Sequence, residues 1–350
     1  MGKKGLCLKK IWKGNLNDSL KRTNTNSASG TKVDFAVSVP FLRTIKQVKQ
    51  NGLVKTSSRV LALGFKYLNE HVKYLPEKTI ATVNNSKMFL YPRQGGINYD
   101  LFLYKKREPL CTDFLIHSSI LKEGDAVLDI GANVGYYVLI ESKMVGKTGR
   151  VYAVEPVTST FELLKNNLHL NNLTNVSPFN FAFGEKDGES EIYVCNESNL
   201  CAMNKNAVGG KIVRVQKVPL VTVDTFFKDK PSPKLIRMDV EGYEYQIFKG
   251  MPETLKGNTR IFMELHYGPP FISIEKMNEF FRLLEENKYR VRFAVFEDKV
   301  EDIKVVRALL KKSGYKLPII LTNVSVQELK RVLEKNPMSP NVLFEKASAD

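Results

Sequence analysis

Two acids, and an acid paired with an imidazole, stand at the ends of consecutive apolar runs. Leu235-Ile236-Arg237-Met238 leads into Asp239-Val240-Glu241-Gly242, and Arg260-Ile261-Phe262-Met263 leads into Glu264-Leu265-His266. Strand side chains alternate between faces, so residues two apart point the same way. Asp239 with Glu241, and Glu264 with His266, would each face whatever cleft the strand ends border. A carboxylate or imidazole so placed can take the proton of an attacking hydroxyl. The same groups could instead bind a divalent metal, or the acids could hold the N-terminus of the next helix. The first use is favoured, with Asp239, Glu241, His266 and Glu264 as catalytic candidates and no metal. His71, His117 and His169 fall on expected helices and read as structural or surface groups.

A second cluster lies upstream. Val127-Leu128-Asp129-Ile130-Gly131-Ala132-Asn133-Val134-Gly135-Tyr136-Tyr137 reads as strand, tight turn and helix start. Arg150-Val151-Tyr152-Ala153-Val154-Glu155-Pro156 follows as a strand ending in an acid, the layout of a nucleoside-binding βαβ unit. A dinucleotide turn needs glycine where Asn133 and Tyr136 stand, so NAD and FAD are disfavoured. Gly146-Lys147-Thr148 lacks the earlier glycine of a phosphate loop, Glu141 occupying that position, and it follows a helix. A turn without a phosphate cradle suits S-adenosylmethionine, an adenosine with a zwitterionic tail. Asp129 and backbone amides would face that tail, and the two oxygens of Glu155 would accept the ribose hydroxyls.

These residues, with Asn166–Asn171, Ala182–Gly188, Val223-Asp224-Thr225-Phe226 and above all Met238-Asp239-Val240-Glu241-Gly242-Tyr243-Glu244, carry a resemblance. From about residue 105 to about 290 the chain resembles the FkbM family of class I S-adenosylmethionine-dependent methyltransferases. The resemblance implies cofactor contacts at Asp129, Gly131, Asn133, Gly135 and Glu155, and an adenine pocket near Ala182 and Phe183. It also implies transfer to oxygen, on a hydroxyl of a sugar, glycolipid or secondary metabolite.

The pattern of elements supports an α/β fold: a doubly wound, Rossmann-like, mostly parallel sheet with an N-terminal helical and β appendage. The expected domains are a basic, disordered stretch over 1–35, the appendage over 36–110 and the methyltransferase domain over 111–350. Within the appendage, helices are expected after Pro40 and Ser57, and short strands at Thr79–Val83, Lys87–Tyr91 and Tyr99–Tyr104. Beyond it, strands are expected at Ala126–Asp129, Val151–Val154, Val176–Phe181, Lys234–Met238, Arg260–Glu264, Arg290–Phe296, Pro318–Leu321 and Asn341–Phe344. Helices are expected at Cys111–Leu121, Tyr136–Val145, Ser159–Asn171, Glu244–Leu255, Glu275–Asn287, Glu301–Ser313 and Val326–Glu334. Strand-like pieces at Glu191–Val194, Lys211–Val215 and Val218–Val223 form an insertion over the substrate edge. Its loop offers Asn199 as a substrate contact, and Cys201 reads as packed.

Charge is unevenly distributed. Residues 1–110 carry 21 Lys and Arg against 6 Asp and Glu, and the remaining residues carry 32 against 31. The basic third is either a solvated face or a contact for nucleic acid or an anionic surface. An RNA or DNA methyltransferase is therefore one alternative, disfavoured because the pattern typical of amino-directed base methylation is missing after Met238. A non-catalytic binding module is another, opposed by the intact Glu155. The four cysteines show no metal spacing and suggest reduced thiols and a cytoplasmic setting. No apolar run approaches the ~18 residues of a membrane span, although peripheral membrane contact through the basic N-terminus is conceivable. The sequence does not fix an oligomeric state.

Overall fold

The computed structural model describes residues 75–296, 319–335 and 337–347. The expectations for residues 1–74 and for the helix at Glu301–Ser313 lie outside the described residues.

The described chain begins with a hairpin, β1 (Thr79–Val83) and β2 (Ser86–Leu90), then α1 (Gly96–Tyr104) and α2 (Pro109–His117). Next come β3 (Ala126–Ile130), α3 (Tyr136–Val145), β4 (Arg150–Val154), α4 (Thr158–Leu170) and β5 (Val176–Phe179). A smaller sheet follows from β6 (Ala182–Phe183), β7 (Gly188–Cys195) and β8 (Ile212–Val221), then α5 (Val223–Phe227). The alternation resumes with β9 (Leu235–Met238), α6 (Glu244–Lys249), α7 (Pro252–Lys256), β10 (Arg260–Glu264), α8 (Ile274–Glu286) and β11 (Tyr289–Phe296). Finally come β12 (Ile319–Val324), α9 (Val326–Lys335) and β13 (Asn341–Lys346).

The main sheet has the order β12-β11-β13-β10-β9-β3-β4-β5. β5, β4, β3, β9 and β10 pair in parallel, and antiparallel β13 wedges between β10 and β11. This is the doubly wound, mostly parallel sheet expected from the sequence. The chain leaves β3 towards β4 on one side and later returns to β9 on the other. The crevice beyond the carboxyl ends of β3 and β9 is thus the topological switch point, where open α/β sheets bind ligands.

Both faces of the sheet are covered, so its strands are apolar on both sides. On β3, Leu128 and Ile130 join one core with residues of α5 to α9. Val127 joins the other, with the hairpin and α1 to α4. Fully burying side chains such as Leu128, Leu164 or Phe262 contributes about 1.5–3 kcal/mol each. The hairpin and α1 contribute Val83, Met88, Leu90 and Leu101 to that second core, and so pack as part of the sheet's own covering layer.

Several elements differ from expectation. Tyr99–Tyr104 is helical, within α1, because Ile97 and Leu101 bury one stripe while Leu103 and Tyr104 stay outside. Packing at helical spacing outweighs the strand preference of its aromatic residues. The Val176–Phe181 run breaks after Phe179, and Asn180 turns the chain towards the smaller sheet by donating to the carbonyls of Glu155 (2.8 Å) and Pro156 (3.0 Å). Lys211–Val215 and Val218–Val223 merge into β8, paired along its length with β7. Val223 instead opens α5, where the Thr222 hydroxyl accepts from Thr225 N–H at 3.0 Å. Glu244–Leu255 divides into α6 and α7 at Gly250-Met251, and Pro252 restarts the helix at its first position.

Candidate active site

Ile130 pairs with Met238, so the chain leaves β3 and β9 at one level. At Gly131 (φ +78°) a Cβ would stand 1.9 Å from the carbonyl oxygen of Asp239, so glycine is required twice over. Asn133 (φ +48°) and Gly135 (φ +92°) are also left-handed, a conformation that asparagine and glycine tolerate best. The turn is latched by Glu155. Its Oε2 accepts Asn133 N–H and its Oε1 accepts Val157 N–H, both at 2.9 Å. Burial pushes the Glu155 carboxyl up to about 7, against the pull of these two donors. Asn133 Oδ1 accepts from Val134 N–H (2.8 Å) and from the Ser198 hydroxyl (3.0 Å), tying the insertion loop to the turn.

The turn, β6, the insertion loop and the end of β9 enclose a cleft of about 860 Å³, its mouth included. Gly131, Asn133, Glu155, Ala182 and Phe183 border it, as do Asp239 and Glu241 beyond the end of β9. Asp129, Gly135, Glu264 and His266 do not. Asp129 points to the α3 side of the sheet and is fully buried. Gly135 caps α3 against Leu164. Asn199 borders the cleft, with its Oδ1 accepting Ile97 N–H at 3.0 Å. Cys201 is packed: its Sγ lies 3.5 Å from Cys195 Sγ, and burial pushes its thiol up to about 12.

Behind Asp239 runs a charge network that sequence reasoning missed. Arg237 bridges Asp129 (Nη1–Oδ1) and Asp239 (Nη2–Oδ2), each at 3.1 Å, and lies 4.2 Å from the Tyr137 ring centroid. The Tyr137 hydroxyl donates to Glu108 Oε2 at 2.6 Å, and Glu108 Oε1 accepts Arg107 Nε–H at 2.7 Å. Arg107 borders the cleft. Burial works against the charge on Asp239, but Arg237 and then Arg107 outweigh it and hold its carboxyl below the ordinary range. Burial raises Asp129, and raises Glu141 well above the usual carboxylate range. An arginine inside the apolar run of β9 was a readable signal, because such residues are rarely buried without a partner. Arg107, in a Lys-Lys-Arg surface-like run, carried none.

His266 sits just behind Glu241. Its Nδ1 lies 2.7 Å from Glu244 Oε1, and its Nε2 lies 3.3 Å from Glu241 Oε2 and 3.9 Å from Glu264 Oε1. Burial opposes a charge on the ring, yet Glu244 and Glu241 raise it well above the ordinary histidine value. Burial, and then Asp239, push Glu264 up to about 8. Glu241 itself is held at φ +50°, an uncommon conformation for a side-chain-bearing residue.

The chain matches the methyltransferase FkbM domain over residues 129–317. It belongs to that family: the domain is a methyltransferase domain, and its cofactor is S-adenosylmethionine. Over 154 residues it is 27% identical to the hexuronic acid methyltransferase AglP of Haloferax volcanii, covering 42% of this chain and 58% of that protein. Over 138 residues it is 25% identical to the protein-L-isoaspartate O-methyltransferase of Methanococcoides burtonii, covering 39% of this chain and 59% of that one. The chain thus spans less than two thirds of the length of these relatives. A solved S-adenosylmethionine-dependent O-methyltransferase from Thermotoga maritima aligns at 16% identity with a TM-score of 0.37, over 81% of this chain and 82% of that one.

The cleft fits the cofactor in its chemistry. Ala182 and Phe183 offer an apolar wall beside the carboxylate of Glu155, whose oxygens each keep a lone pair beyond the backbone bond. Among the described residues no helix is long and apolar enough to cross a membrane.

Proposed function

We propose that the protein transfers a methyl group from S-adenosylmethionine to a hydroxyl of a small acceptor, with sugars and glycolipids as the leading class. The cofactor supplies an electrophilic methyl on a sulfonium. Glu155 accepts the ribose hydroxyls, Ala182 and Phe183 flank the adenine, and the amides of the Gly131–Asn133 turn meet the amino-acid end. Arg107, on the cleft wall, pairs with the carboxylate of that end; Asp129, buried against Arg237, does not border the cleft. The acceptor lies against Asp239 and Glu241, which hold its hydroxyl in line and take up its proton. Alignment of the two reactants is the larger contribution, because displacement at a sulfonium methyl needs little further activation.

One observation carries this reading: the latched Glu155 and the Asp239–Glu241 edge border one cleft, at the carboxyl ends of the two strands that flank β3. The similarity to a hexuronic acid methyltransferase makes uronic-acid-bearing glycans the first acceptors to try. The test is incubation of labelled S-adenosylmethionine with the protein and a panel of hexuronic acids, glycolipids, RNA and isoaspartyl peptide. Label in a sugar or glycolipid fraction supports the proposal. Label confined to RNA or peptide would replace the acceptor class.

A further inference from the structure

Three side chains converge at the acceptor edge, where proton transfer needs only one. One ligand-capable atom from each of Asp239, Glu241 and His266 lies within 4.8 Å of the others. Around a cation with bonds of about 2.1 Å, adjacent ligand atoms of an octahedron stand about 3.0 Å apart and opposite ones about 4.2 Å. The 3.3 Å between His266 Nε2 and Glu241 Oε2 is close to one such edge.

The imidazole is also set as ligating imidazoles are set. Glu244 Oε1 faces Nδ1 at 2.7 Å, and the same oxygen accepts Gly242 N–H at 3.1 Å, which fixes the carboxylate. A carboxylate behind one ring nitrogen selects the tautomer whose other nitrogen carries a lone pair, and it fixes the ring's direction. His266 is 3% exposed and Glu244 2%, so neither swings into solvent. Nε2 then faces Glu241 and Glu264. A lone pair opposed to carboxylate oxygens requires something positive between them. One proton answers a single carboxylate, whereas Asp239 and Glu241 both stand beside this point. The Arg237 guanidinium meets one oxygen of Asp239 and is shared with Asp129.

We propose that Asp239, Glu241 and His266 form a divalent-cation site, with Glu244 as the carboxylate that orients His266. One imidazole and two carboxylates suit Mn²⁺ or Mg²⁺. The positions left on the cation take neighbouring hydroxyl oxygens of the acceptor, so that Asp239 and Glu241 act on the acceptor through the cation. That last step rests on the methyltransferase reading; the cation site itself does not.

The test is electron paramagnetic resonance of Mn²⁺ titrated with the full-length protein, with calorimetry of S-adenosylhomocysteine on the same samples. The expected result is one Mn²⁺ per chain. Affinity should fall more than tenfold in Glu241→Gln and in His266→Gln, and by about tenfold or more in Glu244→Gln, with S-adenosylhomocysteine still bound. The wild-type titration decides the matter without any variant: no Mn²⁺ bound at millimolar concentration overturns the proposal. Equal Mn²⁺ affinity in wild type, Glu241→Gln and His266→Gln overturns it as well. Mn²⁺ binding that follows the expected pattern in a wild-type protein that ignores S-adenosylhomocysteine supports the cation site and removes the cofactor reading instead.

Discussion

The two sides of the cleft are built by different means. On the Glu155 side, a carboxylate is fixed by backbone amides within a turn of left-handed residues. On the Asp239 side, the carboxylates are fixed by long side chains arriving from the segment before α2, from β9, from α6 and from the end of β10. Backbone anchoring forces residue types at fixed spacing, because only glycine or asparagine fits. Side-chain anchoring lets distant segments meet and leaves little trace of spacing. The first construction suits a cofactor of constant shape, and the second suits an acceptor that differs among relatives.

That contrast can be broken most severely at the backbone. Gly131→Ala combines a strained φ with a Cβ 1.9 Å from the Asp239 carbonyl. It should destabilise the domain by about 4 kcal/mol or more, or prevent folding, as read by urea unfolding. On the other side, Arg237→Met leaves Asp129 buried without its cation and removes the nearer cation of half-buried Asp239. The expected loss is about 3–5 kcal/mol, and Asp129→Asn combined with Asp239→Asn should recover part of it. No recovery would mean that Arg237 matters for packing on Tyr137 rather than for charge.

The kinetic prediction separates the two sides. Asp239→Asn and His266→Ala should lower turnover by about 100-fold or more while changing S-adenosylhomocysteine affinity little. Equal losses in both quantities would show that the two sides act as one unit.

What the sequence revealed follows the same division. The turn from Gly131 to Gly135, the helix Tyr136–Val145 and the strand-end acid Glu155 were all readable, because local backbone geometry dictates their residues. The pairs Asp239/Glu241 and Glu264/His266 were readable as strand-end alternation, and the structure brings all four near one another. It also sets Glu264 and His266 behind Glu241, outside the cleft wall. Asp129 ends the right strand but is buried against Arg237, which stands between it and Asp239, so it does not border the cleft. Arg107 and Glu108 reach the site only because α2 packs beside α3, a tertiary contact that no local pattern encodes.

The smallest effect expected is a pH dependence confined to the Glu155 side. Its carboxyl sits at about 7, raised from 4.5 by burial. The folded protein therefore holds a proton that the unfolded chain has lost, and this group's contribution to stability declines as pH rises through that window. Ribose hydroxyls are donors and favour the ionised form. Affinity for S-adenosylhomocysteine should thus climb severalfold between about pH 6 and 8, a slope that Glu155→Gln should flatten. A slope that survives this change would assign the titration to another group.

The most direct single test is a calorimetric titration of S-adenosylhomocysteine into the wild-type protein and into Glu155→Ala. One equivalent should bind the wild type. The variant should bind at least about tenfold more weakly, since it loses the ribose acceptor and leaves Asn133 and Val157 N–H unpaired. No binding by the wild type, or equal binding by both, would contradict the cofactor site described here.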